Sequence, residues 1–93
     1  MTTASAHVPT AHAAKYLRQL CKHWSHRVAV DLEDDTGIVV FPDAVATMTA
    51  APAALIVVDE AETSETLERI KRVVAGHVDR FAFREAPLRF DWS

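Results

Sequence analysis

The sequence predicts an α+β domain of two layers, with both helices on one face of a mainly antiparallel sheet, in the order β-α-β-β-β-β-α-β. Three observations predict it. Two stretches carry apolar residues at helical spacing, the others alternate with a period of two, and the alternating stretches are bunched between the helices. Ninety-three residues hold one core, so residues 1–93 form a single domain.

Thr3 to Val8 sets Ala4, Ala6 and Val8 against Thr3, Ser5 and His7, a strand with one buried face that ends at Pro9. Thr10 is placed to cap the helix that follows. From Ala11 the period becomes helical, and Ala13, Leu17, Leu20, Cys21 and Trp24 make one apolar stripe. Arg27 to Glu33 and Ile38 to Phe41 read as a hairpin around Asp34-Asp35-Thr36-Gly37, where Gly37 can take positive φ. Ala44 to Ala50 alternates again. Leu55-Ile56-Val57-Val58 is an unbroken apolar run, expected of a central strand covered on both sides or of a dimer contact.

Thr63 or Ser64 caps the second helix, whose stripe is Leu67, Ile70, Val74, Val78 and Phe81. Glu65–Arg69 and Glu68–Arg72 stand at the favourable i, i+4 spacing. Gly76 costs about 1 kcal/mol there relative to Ala unless it lets another backbone approach. Leu88 to Trp92 alternates as a last strand, and Trp92 joins the predicted core.

Apolar residues at 49% and charged residues at 25% describe a folded globular chain. A net charge of −3 without a clustered basic face argues against nucleic acid as partner. No apolar run spans a membrane, no secretory signal is legible at the N-terminus, and the lone Cys21 forms no internal disulfide, so a cytoplasmic location is expected.

Chemistry is concentrated in two patches. Leu20-Cys21-Lys22-His23-Trp24-Ser25-His26 holds a thiol, two imidazoles and an indole. Residues two apart on a helix are rotated by about 200°, so Cys21 and His23 diverge, and Cys21 falls in the core stripe. His23 and His26, three apart, share a face and are candidate ligands for a transition metal, given a third ligand. His77 is the partner the second patch offers, and otherwise reads as a hydrogen-bonded boundary residue. Around it, Asp79, Arg80, Arg84 and Glu85 are candidates for anion binding or for orienting the histidines. Arg80 and Arg84 clamp an anion only if the helix runs through both; the plain alternative pairs them with Asp79 and Glu85. No phosphate loop, nucleophile elbow, CxxC or HExxH is present, so no catalytic residue is assigned.

Together, Tyr16-Leu17 with Leu20 to His26, and His77-Val78-Asp79-Arg80-Phe81-Ala82-Phe83-Arg84-Glu85 with the strand ending at Trp92, resemble the bacterial family called domain of unknown function 2218. The resemblance implies small stand-alone proteins. It also implies an association with siderophore-interacting, flavin-dependent ferric reductases, and it transfers no catalytic role to any position.

The expectation is a non-enzymatic binding or accessory domain, linked to iron or siderophore handling, that forms a homodimer or meets such a reductase. The alternatives are a metal- or His-dependent enzyme using His23, His26 and His77, and a purely structural docking module. The cofactor is unknown, with a transition metal as the candidate.

Overall fold

A computed structural model describes residues 1–93. The elements are β1 (Thr2–Pro9), α1 (Ala13–Trp24), β2 (Ala29–Glu33), β3 (Thr36–Phe41), β4 (Ala44–Ala51), β5 (Ala54–Ala61), α2 (Ser64–Phe81) and β6 (Asp91–Trp92). They form one six-stranded sheet in the order β2-β3-β4-β5-β1-β6, antiparallel at every pairing. The predicted α+β class and element order are those observed.

Alternation decides which face carries the helices. Ala4, Ala6 and Val8 of β1, Val39 of β3, Ala46 and Met48 of β4, and Leu55 and Val57 of β5 are buried on one side. The two helical stripes close onto that side through Leu17, Leu20, Cys21 and Trp24, and through Leu67, Ile70, Val74 and Val78. Phe81 and Trp92 are half-buried at the edge of this core. α1 lies over β2, β3 and β4, while α2 lies over β5 and β1.

Several local expectations are corrected. Thr10 does not cap α1. Its hydroxyl accepts from the His12 N–H at 3.1 Å and donates to Glu85, and the cap position falls on His12, whose side chain caps nothing. Thr63 does cap α2, accepting from the Thr66 N–H at 3.2 Å. No glycine has positive φ; in the β2–β3 turn that conformation belongs to Asp34. Gly37 instead lies within β3 beneath α1, where a Cβ would stand 2.5 Å from Cys21 Sγ. Gly76 admits no neighbouring backbone, with nothing within 4 Å of a Cβ added there. Arg69 pairs with Asp43 across to the β3–β4 turn, and Glu68 takes Lys71, so the expected i, i+4 pairs give way.

The last strand shrinks to Asp91–Trp92. Pro87 has no N–H to give a sheet, and the Leu88 N–H donates to Asp79 Oδ1 at 3.0 Å, so this segment is tied to α2 instead. β5 is central but covered on one side only, leaving Ile56 37% exposed on the open face.

Candidate functional site

With its apolar stripe on the sheet, α1 turns Tyr16, Gln19 and His23 along one flank, at spacings of three and four. α2 turns His77 and Phe81 the same way beside Val74 and Val78, so the flanks meet in a groove. The His23 and His77 rings lie 5.2 Å apart between centroids, and His23 stands edge-on to Phe81 at 5.7 Å. Trp24 forms the floor, 5.1 Å from His77 and 5.5 Å from Phe41 on β3. Two patches more than fifty residues apart in the sequence thus lie side by side.

His77 Nδ1 lies 2.7 Å from the Val73 carbonyl oxygen. A carbonyl only accepts, so Nδ1 carries a proton, and whenever the ring is neutral the free lone pair is on Nε2. The pKa of His23 is lowered, first by burial and then by the positive charges of His77, Arg80, Arg27 and His26. His26 itself is exposed beyond α1 and reaches His23 only through charge. No group of three or more His, Cys, Asp or Glu side chains gathers as a metal-ligand set.

The acids of the second patch are already engaged. Asp79 accepts from the Leu88 N–H. Glu85 accepts from the hydroxyls of Thr10 (2.9 Å) and Tyr16, and the Tyr16 bond is the first cause holding its pKa below the carboxylate norm. Tyr16 is pushed up, by burial first and then by Glu85. α2 stops at Phe81, so Arg80 and Arg84 share no helical face. Arg84 instead lies over the Phe83 ring at 5.8 Å, and neither arginine has a carboxylate partner within 4.0 Å.

Toward the start of α1 the groove deepens into a cleft of about 230 Å³ lined by Lys15, Tyr16, Gln19, Phe81, Phe83 and Arg84. Gln19 lines it, while its Oε1 is turned away from solvent without a hydrogen-bond partner. A larger hollow of about 390 Å³ opens where β3, β4 and β5 end, rimmed by Asp43, Glu60 and Glu62. It contains none of the candidate residues, and Asp43 is already neutralised by Arg69. The smaller cleft joins aromatic walls and unpaired cations, so it suits a ligand better.

The charge distribution points the same way. Asp31 is the first acidic residue of the chain, so the α1 flank carries Lys15, Arg18, Lys22 and Arg27 with no acid among them. The helix side of an acidic protein is locally basic.

A family model for uncharacterized proteins conserved in bacteria, DUF2218, matches residues 5–93. The chain belongs to that family. A similar solved structure is the NMR structure of PA4090 from Pseudomonas aeruginosa, with 31% identity, 100% of this chain and 96% of that one covered, and a TM-score of 0.86. A comparison with curated proteins finds no match. The family resemblance read from the two patches is therefore correct, and the domain shares its fold with an independently solved bacterial protein.

Sequence reading singled out the histidines but passed over Lys15, Tyr16, Gln19 and Phe83. The signal for Tyr16 and Gln19 was their helical spacing with His23, one flank away from the core stripe. It also passed over Asp59, although Leu55, Val57, Asp59 and Ala61 share the inward phase of β5. Asp59 is fully buried, neither carboxylate oxygen has a partner, and desolvation raises its pKa to about 7.

Proposed function

We propose that this domain is a non-enzymatic binding or accessory module that holds a small ligand in the groove between α1 and the end of α2. The observation that carries this reading is the meeting of His23 and His77, from opposite ends of the chain, over a Trp24 floor beside unpaired arginines. The fixed tautomer of His77 supports it, since an imidazole whose Nδ1 is held by a carbonyl offers Nε2 to a ligand or metal. The resemblance that links such domains to siderophore-interacting reductases makes iron or siderophore handling the process proposed, in the cytoplasm. No helix is long and apolar enough to cross a membrane.

The test is thermal melting with a ferric siderophore, haem, Zn²⁺ or Ni²⁺, because a ligand of the folded state raises the melting temperature by mass action. A rise that His77→Gln abolishes is the expected result. No rise with any of the four at large excess removes the reading. A His-dependent enzyme is the weaker alternative, because Asp79 and Glu85, the acids it would use, are committed to structural hydrogen bonds.

A second reading, self-association, is favoured by the open sheet face. Ile38, Val40 and Ile56 are 37%, 45% and 37% exposed there, next to half-buried Val45 and Val58. Six strands about 4.8 Å apart, the central ones eight residues long, present a face on the order of 700 Å². That approaches the roughly 800 Å² per partner of a standard interface. Light scattering that gives a dimer for the parent chain and a monomer for Val40→Lys is expected; a monomeric parent removes this reading.

A further inference from the structure

Resting on the groove reading above, we infer that the cleft between Tyr16 and Phe83 takes a one-ring aromatic acid. The size selects one ring, since about 230 Å³ lies below the 300–1,000 Å³ of sites for drug-sized ligands. The walls select an aromatic one. Phe81 and Phe83 line the cleft, and Phe83 is 70% exposed, so ring surface not taken by Arg84 is open for a ligand ring to pack on. The rim selects an anion. Lys15 and Arg84 have no carboxylate within 4.0 Å, and the Phe83 ring holds the Arg84 guanidinium at the edge of the cleft.

Glu85 is the acid beside the cleft. It is ionised, with both the Tyr16 and Thr10 hydroxyls donating to it, and the two cations Lys15 and Arg84 outnumber it, so the rim keeps a positive balance.

The experiment is a ¹H–¹⁵N NMR titration of the full chain at neutral pH with salicylate and anthranilate, alongside acetate and benzyl alcohol. Saturable shifts centred on Lys15, Gln19 and Arg84 are expected with the two aromatic acids. Benzyl alcohol lacks the carboxylate and acetate lacks the ring, so each should bind at least about tenfold more weakly. Arg84→Gln, a change at an exposed side chain, should weaken salicylate about tenfold. Acetate binding as well as salicylate, an unaffected Arg84→Gln, or shifts elsewhere on the surface each overturn the inference. If salicylate fails while a siderophore or metal ion raises the melting temperature through His77, this inference falls and the groove reading stands.

Discussion

The two halves of the helix–sheet interface are built differently. Beneath α1 the contact is dry and close, with Cys21, Leu17 and Gly37 packed so tightly that no Cβ fits at Gly37. Beneath α2 the sheet offers alanines and a carboxyl, for Asp59 sits between its register partners Ala4 and Ala46. The nearest cation, on Lys71, is engaged by Glu68 at 3.0 Å and lies over Trp92 at 5.3 Å, leaving both Asp59 oxygens without a hydrogen bond. Glu85 sharpens the contrast. Two hydroxyls hold its charge and lower its pKa, whereas burial alone raises that of Asp59. Close packing gives the α1 half its definition, and the α2 half carries a stored cost that changes with pH.

The largest effect should come from Asp59. Its folded pKa of about 7 stands above the ordinary carboxylate value of 3.8. Between those pH values the unfolded chain releases this proton and the folded chain keeps it, so stability falls as pH rises and levels off above about 7. The loss is about 4 kcal/mol. Asp59→Asn should remove that part of the pH dependence and gain stability over the parent at pH 8, as measured by urea unfolding at several pH values. Equal slopes for the two proteins would break the contrast between the halves.

Glu85→Gln should cost about 2 kcal/mol, the scale of a hydrogen bond to a charged group, and the cost should fade as pH falls through the lowered pKa of Glu85. Urea unfolding of Tyr16→Phe, Glu85→Gln and the double variant reads the coupling between them. A comparable loss, about 1–3 kcal/mol, is expected of Gly37→Ala by overpacking against Cys21, and Cys21→Ala in the same chain should recover part of it. Gly76→Ala, on the open side of α2, should stabilise by up to about 1 kcal/mol in a thermal melt. Opposite signs at the two glycines would confirm that α1 sits at the limit of approach over Gly37, whereas Gly76 faces open space.

Fold and site were legible to different depths. The α1 and α2 stripes and the alternation in β1 declared their buried faces, because a period of 3.6 or 2 is a local property, whereas the unbroken apolar run of β5 did not. The placing of β1 between β5 and β6 depends on pairing over long sequence distances, which no local pattern encodes. Leu88 to Phe90 alternated like a strand, yet Asp79 claimed the Leu88 N–H. Gly37 looked like a turn residue because it followed Asp34 and Asp35; its role depends on the Cys21 sulfur above it. At the site, His23 and His77 were visible by residue type, whereas their meeting needed the packing angle of two helices. Gln19 and Lys15 look like solvent residues until Phe83 and Arg84 are set opposite them.

The central claim is that the α1 and α2 flanks meet through His23 and His77 to make one groove, and histidine titration by NMR tests it most directly. His23 should titrate below the usual imidazole value, and in His77→Gln its pKa should move up partway, because one neighbouring positive charge is removed while burial remains. A His23 that titrates at the usual value and is indifferent to His77→Gln would contradict the groove.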